Sequence, residues 1–347
     1  MAENIRIKNI YYMLAYAYQS LNEDGFDDVF AEEFDHIHDL FAAILGKGAA
    51  NLIKRGLQRD YLQNTDVTGS LRGKIDITAS VKQQTLIAKR MACHYDVYSE
   101  NTVLNQILKI TMLLLLRHGV VKPENRKILR KLLMYFAGVT EVDPNTINWS
   151  CVRYHRNNAA YRLLINICRL VIKGLLQTTR NGNYRLAEFI DDQQMYHLYE
   201  KFVLGYYKKE FPELSVEASY FDWDRWDEDD SSFLPVMKSD ITLSRGDRVL
   251  IIDTKYYGNT MQKNTMFNSS SLISSNLYQI FTYVKNKDKH KTGRVSGILL
   301  YAKTDETIFP DNAYNIGGNR IGAKTLDLGC DWRLIKEQLN SLVEVYL

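Results

Sequence analysis

No two cysteines of this chain stand at C-x-x-C spacing. The four, Cys93, Cys151, Cys168 and Cys330, are scattered, which argues against a zinc cage or a disulfide framework and fits a reducing cytosol. They are expected to be small buried hydrophobes. Long apolar runs are missing too: Ile110 to Leu116, the most apolar segment, is far shorter than a membrane span, and no charged segment leading into an apolar one opens the sequence. A soluble, cytoplasmic protein without a membrane partner is therefore expected. Net charge is low, with 44 Lys+Arg against 41 Asp+Glu leaving +3, so any nucleic-acid contact has to come from local basic patches. A P-loop is absent, because Gly69 to Lys74 misses the spacing and Gly317 to Gly322 is followed by Ala323 where Lys is required. No H-E-x-x-H or G-x-S-x-G occurs, so zinc-protease and serine-hydrolase chemistry lack support.

What the chain does have is length, 347 residues with 46% hydrophobic and 24% charged, enough for two domains with sizeable cores. It is organised around the stretch from Leu234 to Tyr257. Lys238 to Leu243 alternates like a half-buried strand, Ser244 to Asp247 supplies turn residues, and Arg248 to Asp253 is a β-branched and aliphatic run. Folding back around that turn brings Asp240 beside Asp253, while Asp253 and Lys255, two apart, share one face of their strand. Two carboxylates on neighbouring strands offer hard oxygen ligands suited to Mg²⁺, and an ammonium beside them can position a water and balance charge on a phosphate. An Asp-x-Lys is also what an ordinary ion pair at a strand end looks like. Leu250, Ile251 and Ile252 favour the site, since charges at the end of a buried strand need a partner or an ion.

The neighbouring patterns are a helix from Met195 to Leu214 carrying Glu200, a strand from Ser215 to Trp223, a helix from Ser271 to Lys285 and a buried strand from Val295 to Tyr301, giving the order αβββαβ. That order, with Asp240, Asp253-Thr254-Lys255 and then Gln279-Ile280-Phe281-Thr282-Tyr283, resembles the PD-(D/E)xK nuclease core. Asn9 to Ala17, Leu71 to Asp76 and Leu234 to Tyr257 are similar to the McrC family, the nuclease subunits of modified-cytosine restriction systems, and the similarity spans nearly the whole chain. One position departs from the pattern: Ser239, not Pro, precedes Asp240, and Pro235 lies five positions upstream of it.

The resemblance implies an α+β N-terminal domain (1–180) that docks on a partner, followed by an α/β PD-(D/E)xK restriction-endonuclease-like domain (181–347), with the boundary in the polar stretch Thr178 to Tyr184. It implies Mg²⁺, replaceable by Mn²⁺, held by Asp240, Asp253, the Thr254 carbonyl and Glu200. Glu200 either plays that part or faces solvent. Lys255 would orient the attacking water, and Gln279 and Tyr283 would orient Lys255 or a phosphate. The implied partners are a McrB-type AAA+ GTPase ring and double-stranded DNA; an inert nuclease core that only assembles and activates the GTPase is the alternative.

In the N-terminal half, Ile7, Ile10, Tyr11, Leu14, Tyr18 and Leu21 predict a helix, as does Phe34 to Leu57. From Arg59 to Ser99 the period shifts towards two, with Thr65 to Gly69 and Gly73 as turns and with Leu71, Ile75, Ile77 and Leu86 to Ala88 as strand candidates. This small β module carries Arg72, Lys74, Lys82, Lys89 and Arg90, a solvated face or a docking face. Helices from Asn101 (capped by Ser99 or Asn101) to His118, Pro123 to Phe136 and Ala159 to Leu176 are expected to pack on it. Beyond residue 180, Asp222 to Asp230 reads as a solvated acidic loop and Lys285 to Arg294 as a basic loop able to meet phosphates.

Overall fold

The computed structural model describes residues 5–18, 34–178, 184–187, 190–225, 232–256, 261–264, 269–303 and 309–347. Two compact units emerge, Met1–Leu40 together with Lys173–Leu347, and Phe41–Ile172. The boundary expected near residue 180 lies outside the described residues, as do residues 226–230 of the acidic run and Tyr257.

The first helix, α1 (Ile7–Ala17), belongs with the C-terminal part of the chain rather than with the N-terminal half that was expected to own it. The reason is long-range bonding: the buried Asn9 amide donates to the Leu328 and Cys330 carbonyls (2.7 and 2.9 Å), and the Tyr16 hydroxyl donates to Glu210 (2.7 Å).

The second helix, α2 (Ile37–Arg55), precedes a three-stranded antiparallel sheet of β1 (Asp60–Thr68), β2 (Lys74–Ile75) and β3 (Met91–Ser99), ordered β1-β3-β2. Three expectations for this module are corrected. Ile77 opens a short helix, α3 (Ile77–Lys82), because the Asp76 side chain accepts from the Ala79 N–H and caps it. Leu86 to Ala88 form a 3-10 turn bracketed by Gln84 and Lys89 in left-handed conformations, so the returning strand is Met91–Ser99. Thr65 to Thr68 continue β1 rather than turning.

The helices α4 (Val103–His118), α5 (Pro123–Leu133) and α6 (Tyr161–Arg169) follow. Thr102, rather than Ser99 or Asn101, caps α4 by accepting from Asn105 N–H. These helices hold the roots of the sheet instead of covering it. The Asn105 amide donates to the carbonyls of Gln58, before β1, and Glu100, after β3, and the Tyr161 hydroxyl donates to Asn105 (2.8 Å). Most of β1 and β2 is exposed, along with Leu71, Ile77 and Ile87.

The larger unit resumes with α7 (Asp192–Glu210), β4 (Ser215–Glu217), β5 (Ile241–Arg245), β6 (Arg248–Lys255), α8 (Ser274–Lys287), β7 (Val295–Ala302), β8 (Asn312–Ile316), β9 (Asn319–Leu326) and α9 (Trp332–Tyr346). The sheet order is β8-β9-β7-β6-β5-β4, with β6, β7 and β9 parallel and the other pairs antiparallel. The strand expected over Ser215 to Trp223 breaks in two: Ser215–Glu217 joins this sheet, while Tyr220–Phe221 pairs with Met237–Lys238. Helix α8 packs on one face through Ile280, Tyr283 and Val284 against Ile251, Leu299 and Ile321. Helices α7 and α9 pack on β6 from the other side, where Leu250 and Ile252 point. Covering both faces is what makes β6 and β7 near-continuous apolar runs. Each fully buried Ile or Leu contributes about 1.5–3 kcal/mol. Gly297 sets the approach of α8, because a Cβ there would lie 2.6 Å from Val284 and 2.8 Å from Ile280.

Candidate metal-dependent site

The site is built at the end of the β5–β6 hairpin. Its turn is the two-residue Gly246-Asp247, closed by the Arg245–Arg248 pair, with Gly246 at φ +60°, a conformation glycine adopts without strain. The register ends where Ile241 pairs with Ile252, and Asp240, just before that strand, lies close enough to Asp253 for its charge to act there. Asp240 is held there by Thr254, whose N–H and hydroxyl both donate to its Oδ2 at 2.7 Å. Ser239 takes the place a proline would have. Its N–H donates to the Ser219 carbonyl (3.0 Å), a bond proline cannot make, and its hydroxyl meets that of Thr242 (2.8 Å).

Asp253 and Lys255 project together on the α8 side. Both are buried, at 2% and 5% exposure, with Lys255 Nζ 2.6 Å from Asp253 Oδ2. The ammonium also donates to Gln279 Oε1 (2.9 Å), and the Gln279 amide donates to the Tyr283 hydroxyl (2.9 Å). Gln279 and Tyr283 are i and i+4 on α8, so one helical face carries this chain of bonds to the strand end. A rigid order follows: because Gln279 accepts from the lysine, its NH₂ must face Tyr283, and the Lys255 rotamer is fixed from two sides.

Burial raises the Asp253 pKa to about 6; Lys255 opposes the shift, while the charges of Asp240 and Glu200 add to it. Glu200 is half-buried, and its pKa is raised first by burial and then by Asp240, against the lowering influence of His197, Lys238 and Lys201. Its carboxylate is therefore within electrostatic reach of both hairpin acids. Among the described residues no three His, Cys, Asp or Glu side chains form a ready-made ligand cluster. The residues nevertheless suit a hard divalent cation: Asp253 Oδ2 is buried, and the Lys255 ammonium at 2.6 Å meets it chiefly as a charge. A cation meeting that oxygen, with Asp240 adjacent, would relieve three carboxylates crowded in poorly solvated surroundings.

All seven sequence-derived candidates lie in this part of the larger unit. Asp240 and Thr254 are bonded to each other, Asp253, Lys255, Gln279 and Tyr283 form a second connected set, and Glu200 couples to both through charge. Sequence reading missed the Thr254 side chain as the group that orients Asp240, and Lys238 and His197 as charges facing Glu200. The hydroxyl at the middle of Asp-x-Lys was the available signal. Of the basic stretch expected to loop from Lys285 to Arg294, residues 285–287 instead finish α8, Lys285 is engaged with the Gly317 carbonyl and Asn319, and Arg294 pairs with Asp247.

The profile of the McrBC 5-methylcytosine restriction system component family matches residues 2–302. The chain belongs to this McrBC family. It is similar to the Type IV methyl-directed restriction enzyme EcoKMcrBC of Escherichia coli, with 28% identity over 350 aligned residues, 99% of this chain and 98% of that protein. It also shares its fold with a chain of the solved half-complex from a tetradecameric assembly of Thermococcus gammatolerans McrB AAA+ hexamers with bound McrC. That likeness covers 98% of this chain and 76% of the other at a TM-score of 0.53 and 18% identity. The McrBC family match takes in the hairpin, α8 and all of β7. Among the described residues no helix is long and apolar enough to cross a membrane.

Proposed function

We propose that this chain is the DNA-cleaving subunit of a 5-methylcytosine-dependent restriction complex, an endodeoxyribonuclease of PD-(D/E)xK type that uses Mg²⁺. The observation that carries the reading is the connected set Asp253–Lys255–Gln279–Tyr283 beside Asp240. An ordinary surface ion pair needs neither burial nor a two-residue scaffold from a helix. The αβββαβ order of the elements that carry these residues supports the same reading.

Asp240, Asp253 and the Thr254 carbonyl would hold the cation, with Glu200 close enough to complete the set. When bound, Mg²⁺ supplies Lewis-acid stabilisation of the charge that builds on the scissile phosphate. The remaining chemistry is the chain's own. Lys255, held between Asp253 and Gln279, orients the attacking water and offsets phosphate charge. Gln279, steadied by Tyr283, keeps the ammonium from swinging away.

The exposed β module of the smaller unit is the docking element in this reading. A three-stranded sheet with so little of its surface covered is marginal alone, and apolar residues left open mark an interaction face. By likeness to the solved assembly of McrB AAA+ hexamers with bound McrC, the partner is an AAA+ ring; in this reading the ring is a GTPase and docking stimulates its GTP hydrolysis. The test is cleavage of methylated DNA by the chain with that partner and GTP. Cleavage should need Mg²⁺ or Mn²⁺, stop in EDTA and be inhibited by Ca²⁺, whose coordination is looser. Robust cutting in excess EDTA would remove this site from consideration. Stimulated GTP hydrolysis without cutting under any divalent cation would favour the inert assembly protein.

A further inference from the structure

We propose that the cleft between the first and last helices of the larger unit is a second DNA-contacting site, binding phosphates of the same strand that the carboxylate pair cuts. The inference rests on the nuclease reading for its substrate. The cleft measures about 270 Å³ and is lined by Arg6 and Lys8 at the start of α1, by Arg333 and Lys336 in the first turns of α9, and by Tyr12 and Trp332, whose rings stack at 4.4 Å. Four cations on one small concavity face two acids: Asp331, 4.0 Å from Arg6, and Glu337, 3.4 Å from Arg333. Lys8 and Lys336 are half-buried, and among the described residues neither has a carboxylate within ion-pair distance. An anion entering the cleft would therefore meet positive charge that no neighbouring carboxylate offsets at these two lysines. Cations in the first turns of α9 also oppose the helix dipole, so the arrangement is not one that helix stability selects.

Its placement names the anion. Strands β6, β7 and β9 run parallel, and the register carries Lys255 to Tyr301 to Thr325, so β9 ends at the edge where Asp253 and Lys255 stand. The cleft follows directly: Asn9 and Arg6 tie α1 to the carbonyls of Leu328, Gly329 and Cys330, in the segment between β9 and α9. Two strand spacings separate β6 from β9, about 10 Å across the sheet. A strand crossing this edge would lay a flanking phosphodiester between Lys8 and Lys336.

The experiment is fluorescence anisotropy of a labelled duplex with the full-length chain in EDTA, so that no cutting occurs and the result does not depend on the carboxylate site. Lys8→Ala/Lys336→Ala should weaken binding about tenfold and reduce the slope of log affinity against log salt by about two, because each lost phosphate contact removes about 0.9. Lys8→Arg/Lys336→Arg should restore both, and melting curves should show all variants folded. Unchanged affinity and slope would overturn the proposal, and so would weaker binding with an unchanged slope, which would mean lost packing instead of lost phosphate contacts. It would equally fall if inorganic phosphate or GTP raised the melting temperature of the wild type but not of the Ala variant while both bound DNA alike. Failure of the nuclease reading shows up separately, as Asp253→Ala cutting like the wild type.

Discussion

In the six-stranded sheet Leu250, Ile251 and Ile252 have no solvent-exposed surface, whereas around the three-stranded sheet Ile77 and Ile87 are 69% and 82% exposed. The first sheet lies between helices, so its apolar residues contribute stability and its charged residues, confined to a strand end, are costly and must be matched by chemistry. In the second, apolar residues contribute little to the isolated chain, and their exposure is what the proposed docking face would use. In the proposed function, similar residue types thus serve catalysis by being buried in one region and recognition by being exposed in the other.

The sharpest way to break this comparison is at the strand end. Lys255→Ala should lower DNA cleavage at least about a hundredfold, since it removes a positioned charge that acts in the transition state. A single-turnover cleavage assay in saturating Mg²⁺ measures it. Next in size is a paired stability measurement. Ile251→Ala should cost about 2–5 kcal/mol in denaturant unfolding, while Ile87→Ser should stay within about 0.5 kcal/mol yet reduce stimulation of the partner's GTP hydrolysis. Equal losses at the two positions would erase the distinction between the sheets.

How far this was legible in the sequence follows the range of the interactions. The hairpin could be read because its signals are local: a period of two, a Gly-Asp turn and a run of β-branched residues. The i, i+4 spacing likewise put Gln279 and Tyr283 on one face of a helix. Ile77 and Leu86 to Ala88 misled because an exposed apolar residue looks, in sequence, like one in a core; their local structure was decided by the Asp76 cap and two left-handed residues. The attachment of α1 to the C-terminal half was invisible, since its anchors lie more than 300 residues away. Nothing in the pattern assigned β8, β9 and α9, whose strands join at the Gly317-Gly318 turn and complete the parallel edge.

The pH dependence of metal binding sharpens the comparison further. With its pKa raised to about 6 by burial, Asp253 is protonated below that pH, and a cation must displace the proton. Because the folded pKa lies above the ordinary carboxylate value, the metal-free protein loses this contribution to stability as pH rises from about 4 to about 6. Mg²⁺ should therefore raise the melting temperature clearly at pH 7.5 and hardly at pH 5. A shift of equal size at both would mean that Asp253 is not the ligand. The smallest effect belongs to Tyr283→Phe, which removes only the far end of the bond chain: cleavage should fall by less than about tenfold, against the hundredfold expected at Lys255.

The central claim is that cutting and docking reside in different units. One preparation tests it: the Asp253→Ala chain assembled with its GTPase partner on methylated DNA, with GTP hydrolysis and DNA cleavage read from the same sample, beside a chain with Arg72, Lys74, Lys89 and Arg90 all changed to Glu. The first should stimulate GTP hydrolysis at a near-normal rate and cut nothing, while the second should lose stimulation and, with it, cleavage. An Asp253→Ala chain that still cuts, or a charge-reversed chain that stimulates fully, would contradict the division.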